Sequence, residues 1–428
     1  DYSYLGWFAM LFAAGMGIGL MFFGVLEPVY HMAISEPLGV PSPFAEDGSI
    51  IEANVAAARE MGLAATIFHW GLHPWAIYAV VALALAFFSF NRGLPLTLRS
   101  AFYPVLGERV WGWWGHAVDT VAVLATLFGL ATSLGFGAQQ ANAGLNYVFG
   151  APIGAGVQVL LIAGITAVAL ISVLRGLDGG VKVLSEINMV VAALLLVFVL
   201  LAGPTITIIQ DFFGGLLAYG KDLIPLSNPI GREDDGYRQG WTSFYWAWWI
   251  SWSPFVGMFI ARVSRGRTVR EFIICVLLIP SLVCVLWMAV FGGVAIDQVL
   301  SDPAGSAVKA NVIDSYSPEL SLFAMLGGLP MAMVTSTIGI VLVIVFFVTS
   351  SDSGSLVIDT ITAGGKVDAP VAQRVFWCIF EGAVAIVLLI GGGLAALQSA
   401  VISTGLPFTL VLLVMCYAIW RGLAAEKR

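Results

Sequence analysis

The chain has 428 residues, 59% of them hydrophobic and 11% charged, with a net charge of −7. A water-soluble domain carries roughly 25% charged residues, so a fully solvated surface is excluded, and no basic stripe suited to nucleic acid is present. Apolar runs recur along the whole length, the composition of a polytopic helical membrane protein.

Taken in chain order, the apolar runs predict ten spanning helices, at 4–30, 66–90, 117–148, 152–174, 183–208, 240–261, 270–293, 335–362, 373–391 and 394–420. All-helical structure is expected because a lipid-facing backbone must satisfy its own hydrogen bonds. The alternating short strands of a barrel are absent from the pattern. Basic residues gather in alternate loops: Arg92, Arg99 and Arg109, then Arg175 and Lys182, then Arg262, Arg265, Arg267 and Arg270, then Lys366 and Arg374. The opposite loops hold Glu46, Asp47, Glu52, Glu60, Glu233, Asp234 and Asp235. The positive-inside rule then puts both termini in the cytoplasm of a cell whose inner (plasma) membrane holds the protein.

Residues 31–65 contain Pro37, Pro41 and Pro43, followed by a helical stretch. Residues 209–239 begin with Ile209, Phe212, Phe213, Leu216 and Leu217, spaced like one face of an interfacial helix that is open to lipid or to another subunit. The organisation expected is a first group of five helices over 1–208, the interfacial segment 209–239, a second group over 240–420 and a tail over 421–428. An odd number of spans inverts the second group relative to the first. The start at Asp1 rather than Met is expected of a processed, trimmed or partial chain. Cys275, Cys284, Cys378 and Cys416 lie in apolar runs and read as small buried hydrophobes.

Four segments carry candidate chemistry. The first span contains Ala13, Ala14, Gly15, Met16, Gly17, Ile18 and Gly19. Alternate glycines favour either local unwinding beside a polar cavity or close helix packing. In the sixth span Trp248, Trp249 and Trp252 converge on one face, extended by Phe244, Phe255 and Phe259, with Pro254 bending the chain. Tryptophans at mid-span are not interfacial anchors. They suit a quaternary ammonium, which has no N–H to donate and is held by aromatic faces. The second span adds Trp70, Trp75 and Tyr78. His69 and His73 there have the spacing of a metal pair but no third ligand. The eighth span carries Phe346, Thr349, Ser350, Ser351 and Asp352, suited either to a hard cation or to helix–helix hydrogen bonds. Asp119, Glu186 and Glu381 fall in or near spans without an assignable partner. An enzyme would need a nucleophile with its base, or a metal cluster, in one cavity; the four histidines make no such constellation, so neither catalysis nor a cofactor is expected.

The runs GMGIGLMF, HWGLHPWAIYA, YWAWWISWSPFVGMFIARVSRGRTVREFI and FFVTSSDSGS resemble the betaine/choline/carnitine transporters over essentially the whole chain. The resemblance implies a LeuT-type core of two inverted five-helix repeats, a homotrimer, and two further helices ahead of the core. It implies an aromatic box of Trp70, Trp75, Tyr78 and Trp249, with Trp248, Trp252 and the stretch Gly15, Met16, Gly17 and Gly19 also meeting substrate. Ala13, Met16, Phe346, Thr349 and Ser350 match one sodium site. Thr126 and Phe255 match part of a second, but Leu130 stands where another threonine is expected, and leucine cannot ligate sodium. The GMGIG form is similar to sodium-coupled glycine betaine symporters. Sodium-independent carnitine or choline transport on the same fold is the alternative.

Overall fold

The computed structural model describes residues 2–15, 17–175, 181–366 and 369–426. Among these the chain is helical throughout; the one β contact is an isolated bridge between Phe44 and Ile50. The principal helices are α1 (Tyr4–Gly15), α2 (Ile18–Ala33), α3 (Glu52–Trp70), α4 (Leu72–Ala86), α5 (Trp113–Phe149), α6 (Ala155–Arg175), α7 (Val181–Ala202), α8 (Thr205–Ser227), α9 (Ser243–Val263), α10 (Val269–Trp287), α11 (Gly293–Ser301), α12 (Ala332–Thr362) and α13 (Val371–Ala424). Among the described residues seven helical stretches are long and apolar enough to cross a membrane. One is α13, 54 residues divided by non-helical backbone at Gly392 and Gly393. With α13 taken as two arms, the α1–α2 pair and α9 stand where the other two of the ten expected crossings would lie.

Helix ends follow local chemistry. α10 opens on a capping box: the Glu271 N–H donates to Thr268 Oγ1 at 3.3 Å, and the Thr268 N–H returns to the Glu271 carboxylate at 3.0 Å. Gly393 has φ +60° and ψ −142°, a conformation essentially reserved for glycine, and so turns α13 into two arms.

Two spans differ from expectation. The second starts not at 66 but at Glu52, and α3 and α4 form one crossing over Glu52–Asn91, broken at Gly71. The charge this adds is absorbed: Arg59 donates to both oxygens of Asp211 on α8, at 2.8 and 2.6 Å, and to Asp297 on α11 at 2.6 Å. Pro254 does not break α9. The Ile250 carbonyl, which Pro254 cannot serve, instead accepts from Ser253 Oγ at 2.6 Å.

α8 begins at Thr205, and its apolar residues divide. Ile209, Phe213 and Leu217 are exposed, whereas Phe212 and Leu216 pack with Ile67 and Phe68. The cysteines are not uniformly buried either: Cys284 and Cys378 are, Cys275 is half-buried, and Cys416 lies on an exposed apolar face with Leu413 and Tyr417.

Candidate functional site

The first crossing is discontinuous where the glycines predicted it. α1 ends at Gly15, and α2 starts at Ile18 behind an extended Gly17 that supplies no side-chain cap. The first N–H groups of α2 therefore lack intrahelical partners and carry the positive end of the helix dipole. The second crossing breaks at Gly71, between Trp70 and Trp75. The two breaks face α9 and together bound a small chamber of about 50 Å³, lined by Gly17, Ile18, Gly19, Trp70, Trp75, Tyr78, Trp248, Trp249 and Trp252.

The ring geometry is that of a cage. Trp70 meets Trp249 edge-on at 4.9 Å between centroids, Trp75 meets Tyr78 at 5.2 Å, and Tyr78 meets Trp249 at 6.3 Å. Trp248 stacks on Trp249 at 4.8 Å, with planes 11° apart, and Trp252 lies edge-on to Trp248 at 6.4 Å. Such contacts stabilise the array itself by about 0.5–1.5 kcal/mol per pair.

Gly19 is what lets the array close. A Cβ there would lie 2.6 Å from Cη2 of Trp70 and 3.4 Å from Cη2 of Trp248. Gly129 of α5 does the same for Trp252, whose Cδ1 would be 2.8 Å from an added Cβ. Both readings of the glycine stretch therefore apply, unwinding between Gly15 and Ile18 and close packing at Gly19.

Two cage nitrogens are tied down outside the chamber. Trp249 Nε1 donates to the His69 carbonyl at 2.8 Å, one of the carbonyls near the break at Gly71. Trp70 Nε1 donates to Glu27 Oε2 at 2.7 Å, and Tyr245 OH donates to the same oxygen at 2.7 Å. The other Glu27 oxygen bonds His31 Nε2 at 3.0 Å and His69 Nδ1. Glu27, His31 and His69 are all fully buried. Trp248 and Trp252 are different: their Nε1 groups are buried and have no hydrogen-bond partner. Both residues line the chamber with other parts of their rings.

Glu27, His31 and His69 bring ligand-type atoms within 4.8 Å of one another and could by geometry hold a metal ion. Each already has hydrogen-bonded partners; His69 Nε2 pairs with Thr242 Oγ1 at 3.0 Å and Tyr237 OH lies 3.4 Å from His31 Nδ1. A hydrogen-bonded network accounts for them. The spacing of His69 with His73 makes no pair, because His73 stacks on Trp246 at 5.3 Å and bonds Ser227 at 3.2 Å.

The sequence profile of the betaine/carnitine/choline family transporters (BCCT) matches residues 1–428. The chain belongs to this family. It is 61% identical over 433 residues to the glycine betaine/proline/choline transporter of Vibrio parahaemolyticus, covering 100% of this chain and 77% of that protein. It is 47% identical over 428 residues to the glycine betaine transporter of Acinetobacter baylyi, covering 100% and 62%. Against the glycine betaine transporter OpuD of Bacillus subtilis the identity is 44% over 431 residues, covering 100% and 80%. As a betaine/carnitine/choline family member with many apolar helices, the chain is a membrane transporter and not an enzyme.

Within this transporter, Trp70, Trp75, Tyr78, Trp248, Trp249, Trp252, Gly17 and Gly19 come together in one chamber, and Gly15 ends the helix beside it. Met16 lies outside the described residues. Ala13, Phe346, Thr349 and Ser350 line a neighbouring cavity of about 200 Å³ with Gly17, Trp252 and Val256, which the two cavities share. Thr349 Oγ1 donates to the Val345 and Phe346 carbonyls at 3.0 and 3.1 Å, leaving its lone pairs free to accept or ligate.

The partial second set is not assembled into a cavity. Thr126 is buried and donates to Ala122 at 2.8 Å, while Phe255 lines the cavity of Thr349. Leu130 packs on α12, where a Cβ added to Gly354 would fall 2.3 Å from its Cδ1.

Glu27, at the centre of the hydrogen-bonded network with His31 and His69, is not among the site residues expected from the sequence. Its signal was a carboxylate before Pro28 inside an apolar span. Its partners stand 42 and 218 positions away, which no local pattern encodes.

Proposed function

We propose that the transporter carries out sodium-coupled symport of glycine betaine, or a similar quaternary-ammonium osmolyte, by alternating access. One observation carries this reading: the chamber sets aromatic faces opposite the N-terminal end of α2. A trimethylammonium group fits the rings of Trp70, Trp75, Tyr78 and Trp249, which attract it without needing a donor. A carboxylate fits the free N–H groups at the start of α2. The names of these three relatives, all transporters of glycine betaine, support the same choice.

Coupling follows from the shared wall. Sodium held by Ala13, Phe346, Thr349 and Ser350, with Met16 as a further ligand, would fix the end of α1 at the break whose other side meets the substrate. An ion that stabilises the substrate-binding conformation in this way shifts the population toward it. The two groups of five crossings would rock as LeuT-type inverted repeats. The basic loops and both termini would lie in the cytoplasm, and the exposed Ile209, Phe213 and Leu217 of α8 would meet neighbouring subunits of a trimer.

The test is uptake of labelled glycine betaine into proteoliposomes. An inward sodium gradient should drive accumulation, and Trp249→Ala should raise KM about 30-fold, the equivalent of ~2 kcal/mol. Equal accumulation with potassium in place of sodium refutes the coupling, and an unchanged KM refutes the cage.

A further inference from the structure

A second polar cluster lies apart from the aromatic chamber, where α6, α12 and α13 pack together. At its centre is Glu381, on the first arm of α13. It is fully buried, and neither carboxylate oxygen has a hydrogen-bond partner. The Ser351 hydroxyl of α12 lies beside it, also fully buried and also without a hydrogen bond of ordinary geometry. Asp352 is 5% exposed, within electrostatic reach of Glu381, and accepts one bond from Ser172 Oγ at 3.1 Å. Thr166 of α6 adds another unpartnered buried hydroxyl. It is admitted by Gly382, where a Cβ would lie 2.5 Å from its Oγ1. Arg374, whose charge reaches Asp352, bonds Asp359 at 3.1 Å.

A buried carboxylate without a bond is among the least tolerable groups in a membrane bundle, and a second carboxylate nearby makes it less so. Such a pair persists where a proton or a bound cation neutralises it. The oxygens offered are carboxylates and hydroxyls, the donor set of a hard cation. The Cys378 thiol on the same face is soft and adds no oxygen. We propose that Glu381, Asp352 and Ser351 form a sodium site separate from the cavity of Thr349 and Ser350. The proposal rests on the sodium-coupled reading above. Ser350 and Ser351, one residue apart, point about 100° from each other around α12. The helix would then carry an ion on two faces, and either ion would bias its position for the other.

The experiment measures glycine betaine uptake into proteoliposomes as a function of sodium at fixed pH, for the wild type, Glu381→Gln, Ser351→Ala and Thr349→Ala. Glu381→Gln should raise the half-saturating sodium concentration about tenfold or more, with the betaine KM at saturating sodium unmoved. Ser351→Ala should shift the curve the same way by less; it removes a single hydroxyl, so it decides between the outcomes if Glu381→Gln fails to fold. If the Glu381→Gln and Ser351→Ala curves superimpose on the wild type while Thr349→Ala moves, this site is overturned and coupling through Thr349 stands. If the wild type ignores sodium, both fall. If Glu381→Gln changes only the pH profile, Glu381 carries a proton and the sodium site is overturned.

Discussion

At the scale of single residues, the cage depends on groups that never touch its interior. Glu27 accepts from Trp70 and Tyr245, so removing it strands an indole and a phenol in a dry interior. Glu27→Leu should raise the betaine KM by about tenfold or more, a cost of ~1–3 kcal/mol. Glu27→Gln, which keeps one acceptor oxygen, should recover part of it. A Leu variant with wild-type KM would mean that Trp70 holds its place by ring contacts alone. Gly19→Ala makes the complementary test, because its methyl would displace Trp70. It should abolish saturable binding, read as loss of the tryptophan fluorescence change on titration with betaine. The cage tryptophans were legible in the sequence because rings at i, i+3 and i+4 declare a shared face. Glu27 was not, because its role is defined by partners from three separate helices. How α9 accommodates Pro254 was not legible either: the proline removes a helix hydrogen bond, and the remedy, Ser253 serving the Ile250 carbonyl, appears only in the side-chain geometry.

At the scale of elements, three discontinuities organise the fold: the gap between Gly15 and Ile18, Gly71, and Gly392–Gly393. Alternating glycines announced the first. Gly71 was hidden in a run of histidines and aromatics, and the third fell where the apolar pattern already asked for two spans. Gly393 holds a backbone geometry that a side chain resists, so Gly393→Ala should cost about 1–3 kcal/mol. The expected outcome is a lower thermal midpoint in detergent, with KM little changed because α13 contributes nothing to the chamber lining. A wild-type midpoint would show that the two arms relax around the substitution.

At the scale of the whole molecule, hydropathy gave the number of crossings but not how the outer segments lock onto them. Arg59 joins α3, α8 and α11 through Asp211 and Asp297, linking residues 152 and 238 positions apart. Arg59→Ala leaves two carboxylates facing one another, and Asp211 is nearly buried. The loss should be about 3 kcal/mol, seen as a fall in thermal midpoint that Arg59→Lys only partly restores, since an ammonium cannot reproduce the two-oxygen grip on Asp211. The indole of Trp249 has a wider consequence. Its N–H rests on the backbone oxygen of His69, so one wall of the cage is fastened to the main chain of a different crossing. A motion that separated α9 from α3 would have to break this bond first, so the cage and the packing of two crossings share one oxygen atom.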